Sequence, residues 1–154
     1  MSLSALRIRK AAVSKAETQL KLLETQLENY RSDNGGFPYP EPDGIDREGL
    51  ILYKALFGDG VGPDHLAGTE DDTKTDGQPD EGARIYIAEL DPGSNSLGMV
   101  ESIGGRPPTR VLDPFGFTWR YRSGEHEKAM NPDFDLWSPG PDGADDTADD
   151  IKNW

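Results

Sequence analysis

The segment of residues 4–32 constrains the fold more than any other part of this sequence. It contains neither glycine nor proline, and its apolar residues recur at alternating steps of three and four. That spacing places them along one face of an α-helix. The stripe consists of Val13, Ala16, Leu20, Leu23, Leu27 and Tyr30. We therefore expect a long helix that covers the core of a domain, and a coiled-coil seam is the weaker alternative because the segment holds barely three heptads.

A strong stop signal follows this helix. Residues 33–36 read D-N-G-G, which suits a left-handed helix end, and Pro38 blocks continuation. With 18 glycines and 12 prolines in the chain, turns and irregular segments should be extensive. A short helix is predicted over residues 47–57, and alternating side chains predict strands over residues 84–90, 118–122 and 133–137. A long helix placed before a small antiparallel sheet gives an α+β fold class.

The length of 154 residues suits a single domain with one core. Residues 1–3 read as an expression scar rather than a signal peptide. No stretch approaches the run of about 18 apolar residues that spans a membrane. The absence of cysteine excludes disulfides, thiolate nucleophiles and cysteine-ligated metal sites.

The formal net charge of −13 is concentrated in two windows. Residues 59–82 contain eight acids and one base, and residues 131–154 contain seven acids and one base, so the rest of the chain is neutral. Nucleic-acid binding needs clustered lysine and arginine and is not expected. The two windows indicate either cation sites or solvated acidic loops.

The two acidic windows share a repeated motif. Residues 62–72 read G-P-D-H-L-A-G-T-E-D-D, and residues 140–150 read G-P-D-G-A-D-D-T-A-D-D. Six positions agree without a gap, in the pattern G-P-D-x4-T-x-D-D. A solvated linker has no reason to keep such a register. The match therefore indicates that backbone shape and carboxylate placement both matter.

Calcium is the cation that fits this pattern best. It takes about six to eight oxygen ligands, and each copy offers one aspartate followed by an adjacent pair. Neighbouring carboxylates repel one another unless a cation neutralises them. Magnesium fits less well, because its small octahedral shell retains several waters. Neither loop is an EF-hand, since the third position counted from Asp142 is Ala144 and the twelfth is Asn153.

Three further motifs occur in a fixed order. Residues 30–38 read Y-R-S-D-N-G-G-F-P, residues 113–121 read D-P-F-G-F-T-W-R-Y, and residues 134–143 read F-D-L-W-S-P-G-P-D-G. The last is followed by D-D-I-K-N-W at residues 149–154. Together they resemble the helix end, the D-P-W/F-G motif and the C-terminal ending of the major pseudopilins of the type II secretion system, the general secretion pathway protein G family.

This resemblance implies a pilin-type fold, in which a long helix lies on a small antiparallel sheet within residues 113–154. It also implies a calcium site near the C terminus, with Ser138 as a direct or supporting oxygen donor. The implied ligands are the carboxylates of Asp142, Asp149 and Asp150 and the carbonyls of Pro139 and Thr147.

A second calcium site is predicted by the internal register alone. Residues 59–82 form an acidic insertion that has no counterpart in the family pattern. Its ligands would be the carboxylates of Asp64, Asp71 and Asp72 and the carbonyls of Val61 and Thr69. One calcium ion per chain is expected, and a second if this loop also binds.

The resemblance implies a structural function. Copies would assemble with other pseudopilins and inner-membrane secretion components into a periplasmic fibre that drives protein export. The family's hydrophobic N-terminal segment, which is processed by a prepilin peptidase and methylated, is missing from this sequence. We therefore expect the periplasmic domain of an inner-membrane-anchored protein of a Gram-negative-type bacterium. A type IV pilus subunit shares the fold, although the C-terminal ending favours the secretion pseudopilin.

The alternative is a secreted calcium-dependent module that binds carbohydrate or protein. It would use Trp119, Tyr121 and Trp137 as a contact surface, whereas the competing interpretation places them in the core. An enzyme is not expected. His65 and His126 are far apart in polar, loop-like surroundings, and no nucleophile elbow, phosphate loop or zinc-protease motif occurs.

Overall fold

The structure is a computed structural model that describes residues 2–101 and 109–154. Its longest element, α1, spans Leu3–Asn34 and confirms the helix predicted over residues 4–32. At its start, the Ser2 hydroxyl accepts a hydrogen bond from the Ala5 amide at 3.1 Å. At its end, Gly35 adopts a φ of 79° and its amide donates to a carbonyl of the last turn at 2.8 Å.

Burial divides α1 into two parts. From Ala16 onward the predicted stripe is buried against the domain, whereas residues 2–11 are all exposed and project from it. Of the residues predicted to be an expression scar, Met1 lies outside the described residues and Leu3 already belongs to the helix. None of the helices in the described part of the chain is both long and apolar enough to cross a bilayer.

Four antiparallel strands form the sheet, in the spatial order β1-β2-β3-β4. They span Ile45–Asp46, Arg120–Ser123, Phe134–Ser138 and Ile151–Lys152. β2 and β3 confirm the strands predicted over residues 118–122 and 133–137, and they pair with Tyr121 opposite Leu136. β1 and β4 were not predicted, because strands of two residues are too short to show alternation.

The third predicted strand, residues 84–90, is wrong. The amides of Tyr86 and Ile87 both donate to the Leu56 carbonyl at 2.9 Å, so they are not available to a neighbouring strand. The chain then forms a 3₁₀ turn over Ala88–Leu90. Ile87 and Leu90 are buried three positions apart, a spacing that suits this turn and not a strand.

Side chains from α1, the sheet and a second helix form one buried cluster. The second helix, α2, spans Leu50–Phe57 and confirms the short helix predicted within residues 47–57. Trp119 and Tyr121 are 0 % exposed, and Trp137 is 4 % exposed. The alternative in which these three aromatic side chains form an exposed contact surface is therefore wrong, because they pack inside the domain.

Candidate metal centre in two repeated acidic loops

The C-terminal loop, residues 139–150, connects two neighbouring strands. β3 ends at Ser138, β4 begins at Ile151, and these residues face each other in antiparallel register. Gly140 adopts a φ of 72°, and a Cβ at this position would collide with the Asp149 carbonyl. The sheet thus holds both ends of the loop, and the glycine of the repeated motif permits its two halves to approach closely.

Hydrogen bonds between carboxylates and amides fold this loop. The Asp142 amide donates to Asp149 Oδ2 at 3.1 Å, and the Asp146 amide donates to Asp150 Oδ2 at 2.8 Å. Asp142 Oδ1 in turn accepts from the Ala144 amide at 2.9 Å. Each of the three predicted carboxylate ligands therefore also fixes the backbone around the site.

The carboxylates of Asp142, Asp149 and Asp150 converge. One oxygen from each lies within 4.8 Å of the other two. Asp142 is exposed and the adjacent pair is half-buried, so an ion from solvent can reach all three. Hard oxygen donors gathered at this spacing suit a calcium ion.

The Thr147 hydroxyl contacts two of the three carboxylates. Its Oγ1 atom lies 2.6 Å from Asp149 Oδ1 and 3.0 Å from Asp150 Oδ1. A hydroxyl has one proton to donate, so it cannot satisfy both oxygens. The hydrogen bond from Thr147 is the main cause that lowers the pKa of Asp149. A cation at this point would stabilise the remaining negative charge.

The two predicted carbonyl ligands lie in the same loop. Pro139 is buried directly after β3, and the Thr147 carbonyl accepts a hydrogen bond from the Asp150 amide at 3.2 Å. Their coordination of a metal ion stays a prediction.

Asp113 supports the start of the loop; it is buried and was not predicted as a site residue from the sequence. Asp113 Oδ1 accepts from the amides of Phe115 and Phe117 at 2.9 Å, and Oδ2 accepts from the Ser138 hydroxyl at 2.6 Å. The Ser138 oxygen accepts in turn from the Gly140 amide at 3.1 Å. Burial raises the pKa of Asp113. This chain of bonds links the D-P-F-G motif to the C-terminal loop and gives Ser138 a supporting role.

Asp145 attaches the tip of the loop to the sheet. Its Oδ1 atom accepts from the Trp137 indole at 2.8 Å and from Arg120 Nε at 3.1 Å. Asp145 was not predicted as a site residue from the sequence either. The sequence does contain a signal that sets Asp145 apart. The corresponding residue of the first copy is Ala67, so Asp145 is an acid that the shared motif does not require.

The first loop, residues 61–72, repeats the hydrogen bonds of the C-terminal loop. The Asp64 amide donates to Asp71 Oδ2 at 3.0 Å, and the Gly68 amide donates to Asp72 Oδ2 at 2.8 Å. The Thr69 hydroxyl lies 2.6 Å from Asp71 Oδ1. A Cβ at Gly62 would collide with the Asp71 carbonyl. The repeat in sequence is therefore a repeat in structure, as the shared register predicts.

The surroundings of the first loop differ from those of its copy. Val61 and Ala67 are buried, and the Ala67 amide donates to the Tyr30 hydroxyl of α1 at 3.1 Å. Lys54 of α2 places Nζ 3.3 Å from Asp72 Oδ2. In the described part of the chain, no second trio of potential ligands meets the 4.8 Å limit that the C-terminal trio meets.

Two more acids of the insertion organise its backbone. Asp80 accepts from the amides of Gly60 and Gly62 at 3.1 and 3.0 Å. Asp59 is 0 % exposed and accepts from the Tyr53 hydroxyl at 2.6 Å and the Gly77 amide at 2.8 Å. Much of the acidity of residues 59–82 thus serves to accept hydrogen bonds from turns.

Asp59 should make the stability of the protein depend on pH. Burial raises its pKa above the ordinary value, so the folded state holds the proton at a higher pH than the unfolded state. The free energy of unfolding should therefore fall as pH rises from about 4 through the raised pKa. Asp59→Asn should remove this component, as urea melts across about pH 4–7 would show. Asp133→Asn is the control, because Asp133 is exposed and is not among the groups that shift the pKa of Asp59. Parallel pH profiles for Asp59→Asn and wild type would contradict the assignment.

No protein-family model matches this chain. No curated protein matches it either. Among solved structures, it is similar to the major pseudopilin from the type 2 secretion system of enterohaemorrhagic Escherichia coli, with 26 % identity and a TM-score of 0.54. The similarity covers 99 % of this chain and 93 % of the other. The resemblance drawn from the three sequence motifs is thereby confirmed, and the chain has the pilin-type fold of a major pseudopilin of the type II secretion system.

Proposed function

We propose that this chain is a structural subunit of a type II secretion pseudopilus. The observation that carries the proposal is the similarity to a major pseudopilin, which extends over 99 % of the chain and includes the long N-terminal helix. That similarity also argues against an enzyme. Both histidines contact backbone atoms of loops, with His65 Nε2 3.0 Å from the Glu81 carbonyl and His126 Nδ1 3.0 Å from the Lys128 amide.

Assembly would use the projecting part of α1. Leu3 and Ile8 are 70 and 71 % exposed there, and apolar side chains exposed to this degree on a helix favour contact with other copies. We propose that α1 continues from a hydrophobic segment anchored in the inner membrane, with the domain in the periplasm. Other pseudopilins and inner-membrane secretion components are the further partners, and the fibre would drive protein export. Processing and methylation of the N terminus belong to the same proposal.

Calcium would serve this function by ordering the C-terminal loop. The support is the convergence of Asp142, Asp149 and Asp150 on a point where the Thr147 hydroxyl can satisfy one oxygen only. The loop lies between β3 and β4 and is attached to β2 through Arg120. An ion bound there would preserve the surface that this end of the sheet presents to neighbouring copies.

The second calcium site, in the first loop, stays a prediction. Its ligands would be Asp64, Asp71 and Asp72 with the carbonyls of Val61 and Thr69. The repeated hydrogen bonds favour it, and the contact between Lys54 and Asp72 argues against it.

Assembly can be tested with a chimera. Joined to the hydrophobic N-terminal segment of the E. coli major pseudopilin, this chain should form a ladder of multimers when membranes are treated with an amine cross-linker. Ile8→Glu should reduce the ladder several-fold, because it places a charge on the exposed face of α1, and Ile8→Leu should preserve it. A chimera that stays monomeric where the parent pseudopilin forms multimers would contradict the proposed function.

A further inference from the structure

We propose that the first loop is held together by a cation of the chain itself, the ammonium group of Lys54. The inference goes beyond the proposed pseudopilus function. Lys54 lies in α2, is 8 % exposed, and places Nζ 3.3 Å from Asp72 Oδ2. A lysine this deeply buried needs a counter-charge, and Asp72 supplies it. In the first loop, the ammonium group of Lys54 would then take the place of a bound metal ion. The C-terminal loop would instead bind an ion from solvent through its three converging carboxylates.

A comparison of equivalent atoms supports this division. Asp72 and Asp150 occupy the same position of the repeat, and each accepts one loop amide through Oδ2 at 2.8 Å. Asp72 Oδ2 also contacts the Lys54 ammonium. Among the ion pairs formed by residues 2–101 and 109–154, none joins a lysine or arginine to Asp142, Asp149 or Asp150. The carboxylates of the shared motif therefore pair with a basic side chain in the first loop and not in the C-terminal loop, where Arg120 pairs with Asp145, an acid outside the motif.

The surrounding backbone fixes the position of Lys54. Its neighbours Tyr53 and Ala55 are buried in the core, so α2 cannot rotate to withdraw the side chain. Gly60 makes room for the stem, since a Cβ there would approach Lys54 Cε to 3.3 Å and the Thr73 carbonyl to 2.9 Å. The ammonium group is thus directed at Asp72 by the packing of the helix.

Calcium would bind the first loop only at the cost of this pair. An ion coordinated by Asp72 would compete with the ammonium for the same carboxylate and leave a buried lysine without a counter-charge. We therefore infer that the first loop remains ordered without calcium, and that calcium dependence is confined to the C-terminal loop. The order of the first loop also maintains its contact with α1 through Tyr30 and Ala67.

Calcium titration by calorimetry tests the inference. Wild type should bind one calcium ion per chain. Lys54→Met should bind two, because Asp72 loses its ammonium partner and its carboxylate can then coordinate a calcium ion together with Asp64 and Asp71. Lys74→Met is the matched control, since it changes the net charge equally at an exposed position of the same insertion and should leave one site. Equal stoichiometry in the two variants would overturn the inference. So would two sites in wild type with one remaining after Asp71→Ala.

Amide exchange of the wild-type protein provides a test that does not depend on the folding of a variant. In chelator, the amides of Asp64 and Gly68 should keep their protection, whereas the equivalent amides of Asp142 and Asp146 should exchange at least about tenfold faster. Equal loss of protection in both loops would overturn the inference. If neither loop responds to calcium, the C-terminal calcium site fails, while the retained protection of the first loop still supports the role of Lys54.

Discussion

Calcium is expected to raise the melting temperature of this domain, and chelation is expected to lower it. An ion that binds the folded loop and not the unfolded chain adds about 2.7 kcal/mol to the free energy of unfolding at about a hundredfold its dissociation constant. For a chain of this length, each kcal/mol shifts the melting temperature by about 2–4 °C. The difference between calcium and chelator should therefore be about 5–11 °C. Thermal melts followed by circular dichroism in calcium, magnesium and chelator would measure it, with a smaller shift in magnesium.

Variants of the C-terminal loop locate the effect. Asp149→Ala and Asp150→Ala should each abolish most of the difference between calcium and chelator, because each removes one of the three converging carboxylates. Asp71→Ala changes the equivalent position of the first loop and should preserve the difference. Each variant also loses a hydrogen bond to a loop amide, so the quantity to compare is the calcium-dependent shift within each variant. A wild-type melting curve that is identical in calcium and chelator would rule out the structural role of the ion.

Trp119→Ala is expected to cause the largest loss of stability among single substitutions in the core. The side chain is 0 % exposed and is the largest of the fully buried residues. Its removal leaves a cavity and costs about 3–5 kcal/mol. At about 2–4 °C per kcal/mol, the melting temperature should fall by about 6–20 °C. Urea and thermal unfolding, analysed as two-state transitions, would measure the change.

Two controls make this prediction specific to burial. Trp119→Phe should cost less, because it keeps most of the apolar volume and removes Nε1, a buried donor without a hydrogen-bond partner among the described residues. Met130→Ala should change the free energy of unfolding by no more than about 0.5 kcal/mol, since Met130 is 63 % exposed. A Trp119→Ala protein as stable as the Met130→Ala protein would show that Trp119 does not anchor the core.

The elements that the sequence predicted well are those with a local signal. The stripe of α1 repeats over six positions, and the helix was predicted to within two residues at each end. The repeated loops share six identities, and the structure gives them the same amide-to-carboxylate hydrogen bonds. In both cases the interacting residues lie within one helix or one loop, so the pattern of side chains carries the information.

The incorrect strand over residues 84–90 shows the limit of such patterns. Its alternation is genuine in the sequence, but the Leu56 carbonyl at the end of α2 accepts both of the amides that a strand would need. A competing acceptor that is distant in sequence cannot be recognised from the segment itself. Tertiary contact therefore decided between strand and turn.

By itself, the sequence determined the long helix and the positions of both acidic loops, because these follow from periodicity and from a repeated motif. The pilin-type architecture was implied by the resemblance of three motifs to a known family. Tertiary structure alone decided what surrounds each loop. Lys54 reaches Asp72 across 18 positions, and Asp113 reaches Ser138 across 25. Arg120 reaches Asp145 across 25 positions as well. Two loops with one motif thus differ in the basic side chains around them, because those side chains come from parts of the chain that the motif does not contain.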